Sequence, residues 1–176
     1  MIWKKKEEKE ITNISPIIEA IKQLSSTNTG ALIVVSRNSE LKFYADSGDL
    51  LDAFISKRLL ISIFNKHSPL HDGAIIVFNG KIVAARCILP VSERDLPAQF
   101  GMRHRAALGM SEATDTLILT ISEETGQVST ARNGILDENL SIPEIRRRIN
   151  RYLLESEKVK AANPTEESSE DLEVTS

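Results

Sequence analysis

The stretch GAIIVFNGKIVAARCIL, residues 73–89, decides the fold, because it contains two apolar runs separated by Asn79-Gly80. Asn-Gly between apolar runs predicts a tight β-hairpin, since both central residues of a type I′ turn need positive φ. The flanking runs are short and rich in apolar and β-branched residues, which is typical of buried strands. The sequence therefore predicts two paired strands in the interior of a sheet.

The remaining elements follow from the spacing of apolar residues on both sides of this hairpin. Apolar residues at helical spacing predict helices over residues 13–24, 50–65, 101–113 and 141–158. Short apolar runs predict strands over residues 31–35, 41–44, 117–121 and 128–131. Because hairpins are mixed with helical crossovers, we expect a single α/β domain with a mixed, twisted β-sheet flanked by helices.

Composition and charge divide the 176-residue chain into three parts. Residues 1–11 form a charged lead-in, residues 12–158 are expected to form the folded domain, and residues 159–176 are expected to form an acidic, disordered tail. The last sixteen residues carry a net charge of −5, so the rest of the chain carries about +2 within a total of −3. So small a positive balance argues against a nucleic-acid-binding surface, and we expect no nucleic-acid partner.

Two features bear on thiol reactivity and on the cellular compartment. The single cysteine, Cys87, lies in an apolar run and is expected to be a buried strand residue rather than a nucleophile. No apolar run approaches the ~20 residues of a membrane-spanning helix, so we expect a cytoplasmic protein. Trp3 followed by the lysines at 4–6 nevertheless resembles the cytoplasmic flank of a membrane helix. If the chain is a truncated form, we expect the longer protein at the cytoplasmic side of the membrane. N-terminal transmembrane helices, missing from this sequence, would hold it there.

Three polar segments each interrupt or end an apolar element, and the first is His71-Asp72-Gly73-Ala74. A carboxylate just before a buried hairpin can bind a divalent cation or accept a proton from a hydroxyl group. Gly73 would let a ligand approach the backbone closely. A plain Asp-Gly turn is the alternative interpretation of this segment.

The second segment, Gly101-Met102-Arg103-His104-Arg105, stands at the start of a predicted helix. Backbone N–H groups and the positive end of the helix dipole favour a phosphate there, and guanidinium groups add bidentate hydrogen bonds. Cations are unfavourable at a helix N-terminus unless an anion compensates them. The segment therefore predicts phosphate binding, with an ordinary basic surface cluster as the alternative.

The third segment is Ser122-Glu123-Glu124-Thr125-Gly126, where a predicted strand ends in an acidic turn. Such a turn can supply a metal-ligating carboxylate, and a merely solvated turn is the alternative. Other familiar sites are missing from the sequence, which contains neither Gly-x-x-x-x-Gly-Lys-Ser/Thr nor Gly-x-Gly-x-x-Gly nor Gly-x-Ser-x-Gly. One cysteine and three histidines also exclude a structural zinc site.

In kind, order and spacing, the three segments together resemble the diadenylate cyclase family, whose domain is similar to the N-terminal domain of DisA. The resemblance covers about residues 15–155 and is strongest to the CdaA type of cyclic di-AMP synthase. It implies a mixed-sheet α/β domain, ATP as the substrate, and Mg²⁺ or Mn²⁺ as the cofactor. The implied reaction condenses two ATP into cyclic di-AMP and releases two pyrophosphates.

The resemblance also implies roles for individual residues. The catalytic residues would be Asp72, which helps to activate the ribose 3′-hydroxyl, and Arg103, His104 and Arg105 near the phosphates. The metal ligands would be His71, Asp72 and Glu124, the last preferred over Glu123. The nucleotide would be contacted by Gly73, Ala74, Ile88, Leu89, Gly101, Met102, Arg103, His104, Arg105 and Ser122.

Two positions depart from the family pattern. Met102 stands where the family usually has threonine, so a hydrogen bond to phosphate or backbone is lost there. Ile88 stands where relatives often have a tyrosine against the adenine, so the base would rest on an apolar slot formed with Leu89. These departures bear on rate and affinity more than on the type of reaction.

The symmetry of the implied product predicts how the domain assembles. Each adenosine gives its 3′-hydroxyl to the α-phosphorus of the other, and in-line attack requires the reacting atoms to be nearly collinear. One domain with one ATP cannot arrange this, so we expect catalysis in a face-to-face dimer. No regulatory protein partner can be identified from the sequence. Two alternative functions are a non-catalytic adenine-nucleotide sensor and a metal-dependent phosphohydrolase.

Overall fold

The structure, a computed structural model, describes residues 13–162, and for residues 156–162 it describes the helical backbone alone. The charged lead-in expected over residues 1–11 lies outside the described residues, as does most of the expected tail. The last helix runs to Ala162, past the end expected at about residue 158. Among the described residues, every helix is too short or too polar to cross a membrane.

Five helices and seven strands make up the described part of the chain. The helices are α1 Ser15–Ser26, α2 Lys42–Ala45, α3 Lys57–Phe64, α4 Met102–Ala113 and α5 Ile142–Ala162. The strands are β1 Ala31–Ser36, β2 Asp49–Phe54, β3 Ala74–Phe78, β4 Lys81–Cys87, β5 Leu117–Ile121, β6 Val128–Arg132 and β7 Ile135–Asp137.

Asn-Gly turns join two pairs of strands. Between β3 and β4, Asn79 has a φ of 52° and Gly80 a φ of 76°, so both residues adopt the left-handed conformation that a type I′ turn needs. Asn133 and Gly134 repeat this geometry between β6 and β7, with φ of 51° and 73°. The sequence predicts both turns, but the three residues of β7 are too few to show a strand pattern.

All seven strands form one sheet in the order β2-β4-β3-β1-β5-β6-β7. β1 and β3 are parallel, with Ile33 opposite Ile75, whereas every other neighbouring pair is antiparallel. The mixed sheet of a single α/β domain is therefore confirmed.

Helices cover both faces of the sheet, and each face has its own core. On one face, α1, α3 and α5 pack through fully buried side chains such as Ile18, Phe64 and Ile149. On the other face, α4 and the short α2 pack through smaller residues, among them Ala107 and Ala45. The central strands are thus enclosed on both sides, and burial of each large side chain contributes about 1.5–3 kcal/mol.

The short strand expected near residues 41–44 is wrong, because this stretch forms the helical turn α2. Leu41 adopts a φ of 54° and directs the chain into the turn. Lys42 Nζ then lies 2.7 Å from Asp46 Oδ2, an i,i+4 ion pair that fits a helix and not a strand. Phe43, in the middle of this stretch, is exposed to solvent.

The helix expected over residues 50–65 is wrong in its first half, which forms the edge strand β2. The apolar spacing there also fits a strand whose register shifts in the middle, and pairing with β4 decides between the two. The helix begins only at Lys57, where Ser56 Oγ accepts a hydrogen bond from the Leu59 N–H at 3.1 Å.

Candidate functional site

The directions of the strands bring the polar segments to one edge of the sheet. β1 and β3 are parallel and begin at this edge, while their antiparallel neighbours β5 and β4 end there. Gly30 before β1, Asp72 before β3, Ile88 after β4 and Ser122 after β5 therefore lie along the same border, which we call the site edge. The helix α4 also begins there, because Arg103 reaches Gly30.

The order of the strands sets the spacing along the site edge. β1 lies between β3 and β5, and neighbouring strands are about 4.8 Å apart, so the ends of β3 and β5 are separated by about 10 Å. A nucleotide polyphosphate can bridge such a gap. The first and third polar segments therefore face each other across β1.

Asp72 is held between two anchored neighbours. His71 Nδ1 lies 2.7 Å from the carbonyl oxygen of Ser68, and His71 Nε2 lies 3.7 Å from Asp72 Oδ1. Gly73 has a φ of 84°, and a Cβ at this position would lie 2.8 Å from the Cys87 carbonyl oxygen, so only glycine fits. The Asp72 side chain is 88% exposed and is available to a ligand.

The hydrogen bond of His71 also fixes its tautomer. A carbonyl oxygen can only accept, so Nδ1 must donate the proton to Ser68. In the neutral imidazole the lone pair is then on Nε2, beside the Asp72 carboxylate. His71 and Asp72 thus present two metal-binding atoms on one side of the site edge.

Arg103 is the member of the basic segment that reaches the third segment. Its guanidinium lies on the backbone of Gly30, where a Cβ would be 2.5 Å from Arg103 Cζ. Arg103 Nη1 is 3.7 Å from Glu123 Oε2. The N-cap residue Gly101 provides no side-chain hydrogen bond to the helix, so this helix start can accept an anion.

His104 and Arg105 have different surroundings from Arg103. The ring of His104 packs against Phe100 at 5.4 Å, and burial lowers its pKa, with Arg103 adding to that shift and Glu138 opposing it. Arg105 Nη2 donates a hydrogen bond to the Leu96 carbonyl at 3.5 Å, within the loop that precedes α4. In this structure, both residues contact that loop, and their contact with phosphate stays a prediction.

The acidic turn after β5 is fixed through its backbone. Ser122 Oγ accepts hydrogen bonds from the N–H groups of Glu124 and Thr125 at 3.2 and 3.3 Å, which leaves its hydroxyl hydrogen available to a ligand. Asn28 Nδ2 donates to the Glu124 carbonyl at 3.2 Å and ties the turn to the end of α1. The carboxylate beside Arg103 is that of Glu123, whereas the sequence favoured Glu124 as the functional one.

The apolar residues expected at the nucleotide differ in exposure. Ile88 is 71% exposed and Met102 is 67% exposed, so both side chains are open to a ligand. Leu89 is buried in the core beneath α4. Cys87 is buried as expected, and burial raises the pKa of its thiol to about 12, with Asp49 adding to the shift. Cys87 is therefore no nucleophile at neutral pH.

The predicted metal ligands are brought together only in part. Among residues 13–162, no three His, Cys, Asp or Glu side chains lie close enough to one another to hold a metal ion by themselves. His71 and Asp72 are adjacent, whereas Glu124 is placed across β1 from them. Two protein ligands nevertheless fit Mg²⁺ or Mn²⁺, which keep several waters and share their coordination with substrate phosphates.

Two cavities, of about 530 and 290 Å³, lie at the ends of the strands opposite to the site edge. Asp115 lines the larger of the two and Arg132 the smaller, and neither is lined by a residue of the three polar segments. The site edge is open to solvent, since the side chains of Asp72, Ile88 and Met102 are exposed there. The sequence did not predict Gly30 as a site residue. The one signal that could have indicated it is the position of this glycine directly before a buried strand.

Comparison with known proteins identifies relatives of this chain. The family described as DisA bacterial checkpoint controller nucleotide-binding matches residues 18–136. Cyclic di-AMP synthase CdaA of Bacillus subtilis (strain 168) is 44% identical over 136 residues, which are 77% of this chain and 50% of that protein. Diadenylate cyclase CdaS of Bacillus thuringiensis (strain BMB171) is 50% identical over 121 residues, 68% of this chain and 60% of that protein. The chain thus spans about half to three fifths of these relatives.

Solved structures share the fold. A crystal structure of a double mutant of DacA from Staphylococcus aureus superposes with a TM-score of 0.77 at 35% identity, over 84% of this chain and 98% of that one. A structure described as a hypothetical membrane spanning protein from Bacillus cereus gives a TM-score of 0.70 at 47% identity, over 74% of this chain and 65% of that one. The family match, the identities and the shared fold show that this chain belongs to the diadenylate cyclase family.

Proposed function

We propose that this chain is the catalytic domain of a diadenylate cyclase, which condenses two ATP into cyclic di-AMP and releases two pyrophosphates. The observation that carries the proposal is the convergence of three polar segments at the site edge, with Arg103 lying over Gly30 beside the acidic turn. The relatives named as diadenylate cyclases and cyclic di-AMP synthases support it.

Each residue at the site edge has a role in this reaction. The Asp72 carboxylate accepts the proton of a ribose 3′-hydroxyl, and the oxygen attacks the α-phosphorus of the other ATP as the bond to pyrophosphate breaks. Arg103 and the start of α4 bind the phosphates and stabilise the charge on the leaving group. Gly73 and Ala74 contact the nucleotide through their backbone, and the Ser122 hydroxyl donates to a phosphate oxygen.

The same proposal includes further predicted contacts. The adenine rests on the exposed side chain of Ile88, and the exposed side chain of Met102 is a further contact of the nucleotide. His104 and Arg105 approach the phosphates from the first turn of α4. The proposed metal is Mg²⁺ or Mn²⁺, held by His71 and Asp72 with Glu124. Such an ion, when bound, neutralises phosphate charge and favours the deprotonated hydroxyl.

The open form of the site edge supports a face-to-face dimer. One copy presents one hydroxyl and one α-phosphorus, whereas the product needs two of each in opposite orientation. A two-fold axis through facing site edges provides that arrangement, and positioning of this kind supplies much of the rate. We place the reaction in the cytoplasm. In a longer protein with a membrane anchor, it would take place at the cytoplasmic side of the membrane.

The identity of the product tests the proposal. The protein is incubated with ATP and Mn²⁺, and the nucleotides are separated by chromatography. We expect cyclic di-AMP with two equivalents of pyrophosphate. Release of AMP or ADP would instead identify a phosphohydrolase, and binding of ATP without turnover would identify a nucleotide sensor.

A further inference from the structure

Arg86, the penultimate residue of β4, has an unusual backbone conformation. Seven non-glycine residues among those described have positive φ, and five of them are Asn or Asp, which tolerate it best. The other two are Leu41 and Arg86, and Arg86 has a φ of 57°. This conformation is unfavourable for an ordinary residue, so the surrounding structure must impose it.

A β-bulge imposes the conformation of Arg86. Ala74 pairs with Cys87 and Ile76 pairs with Ala84, so two steps along β3 correspond to three steps along β4. The extra residue of β4 lies between these pairs, where Arg86 stands. Bulges next to active sites turn a side chain away from the regular direction of its strand.

The bulge places Arg86 directly beside the acidic segment of the site edge. A Cβ placed on Gly73 would lie 3.1 Å from Arg86 Cα, so the two backbones are in contact. Asp72 directly precedes Gly73 in the chain, and Ile88 follows Arg86 by two positions. Arg86 therefore lies within the border to which the proposed nucleotide binds.

The guanidinium of Arg86 is only weakly engaged. Its side chain is 53% exposed, and Nε is 3.8 Å from Asp49 Oδ2, which is longer than a hydrogen bond. An exposed ion pair at that distance contributes little to stability. Such a contact does not account for a strained arginine, and the guanidinium is available to an anion.

We infer that Arg86 is a further phosphate-binding residue of the site edge, on the opposite side of Asp72 from Arg103. This inference rests on the proposed function, because the phosphates are those of the substrate. The strand order β4-β3-β1-β5 puts Arg86 on one flank and Arg103 on the other, with Asp72 between them. Two guanidinium groups can then contact phosphate oxygens from the two flanks of Asp72.

The test compares variants that separate charge from backbone. Arg86→Asn removes the charge but suits a positive φ, Arg86→Lys keeps the charge, and Lys81→Asn removes a cation from the far end of β4. Calorimetry measures binding of 3′-deoxy-ATP, which cannot cyclise, and of 3′-deoxyadenosine, which lacks phosphates. We expect Arg86→Asn to weaken 3′-deoxy-ATP binding about tenfold and leave 3′-deoxyadenosine binding unchanged. Arg86→Lys should lose no more than about threefold, and Lys81→Asn should match the wild type.

The outcomes distinguish the inference from the proposed function. Equal binding of 3′-deoxy-ATP by Arg86→Asn and the wild type would overturn the inference. So would an equal loss of binding for both ligands, since that points to a purely structural role. Absence of cyclic di-AMP from the wild-type reaction would overturn the proposed function, whatever the variants bind.

Discussion

Asp72 owes its exposure to its two neighbours in the chain. His71 is anchored to the Ser68 carbonyl, and Gly73 is packed under the Cys87 carbonyl in a conformation that glycine adopts without strain. The carboxylate between them projects to the solvent. The sequence could predict the segment from its position before a hairpin, but the anchoring depends on contacts with distant residues.

Asp72→Asn should lower turnover at least ~100-fold and leave the fold intact, because it removes the proton acceptor from an exposed position. Cyclic di-AMP formation is measured by chromatography and stability by thermal unfolding. Asp52→Asn is the matched control, since its carboxylate is 82% exposed and lies outside the three polar segments. Turnover by Asp72→Asn at the wild-type rate would remove this carboxylate from the mechanism.

Gly30→Ala should weaken binding of 3′-deoxy-ATP about tenfold. The new Cβ would lie only 2.5 Å from Arg103 Cζ and would displace the guanidinium. The displaced group is the end of a flexible side chain, so little stability should be lost. A double-mutant cycle with Arg103→Ala provides the control. If Gly30→Ala still weakens binding in the Arg103→Ala background, Gly30 acts by another route.

His104 should make the fold sensitive to mild acid. Burial lowers its pKa below the ordinary 6.5, so the unfolded chain takes up a proton before the folded domain does. The stability contributed by neutral His104 is therefore complete above pH 6.5 and declines as the pH falls below it. Thermal unfolding between pH 7.5 and 5.5 should show a smaller decline in His104→Gln than in the wild type. Parallel curves for the two proteins would contradict this assignment.

At the scale of elements, pairing with distant strands decided what local patterns could not. The hairpin β3–β4 was predictable because Asn79-Gly80 fixes its turn within the stretch itself. Residues 49–54 carry apolar spacing that suits a helix or an irregular strand, and only β4 selects the strand. The bulge at Arg86 leaves no signal in the sequence, since arginine does not favour positive φ.

Asp115 connects the start of β5 to α5 through a charged cluster. Its oxygens accept hydrogen bonds from Arg132 at 2.6 Å and Arg37 at 3.1 Å, and both guanidinium groups lie over the ring of Tyr152. Burial acts to raise the pKa of Asp115, but hydrogen bonding and charge from Arg132 and Arg37 outweigh it and hold the pKa below 3.8. This carboxylate is therefore ionised and stabilising at neutral pH.

Asp115→Asn should destabilise the domain by about 1–2 kcal/mol, because two largely buried arginines lose the nearer of their two carboxylate partners and keep only Glu155. Urea denaturation at pH 7 measures the free energy of unfolding. Asp46→Asn, which breaks one exposed ion pair in α2, should cost less than about 0.5 kcal/mol. Similar losses in both variants would show that the cluster has no special role in docking α5.

At the scale of the whole molecule, the sequence predicted the fold class because its hairpins and helical crossovers allow few arrangements. The resemblance to the family also predicted that three separate polar segments act together, although each one alone is a common turn or basic cluster. Their convergence depends on the parallel pairing of β1 with β3, which no local pattern reveals. The exposed border that results is half of a symmetric site in the mechanism proposed here.

The dependence of activity on protein concentration tests this mechanism most directly. Cyclic di-AMP formed per mole of protein is measured from well below to well above the dissociation constant of the dimer, which sedimentation determines independently. If two copies must face each other, specific activity should rise in proportion to the dimer fraction and then level off. A specific activity that stays constant while the protein is monomeric would contradict the face-to-face site.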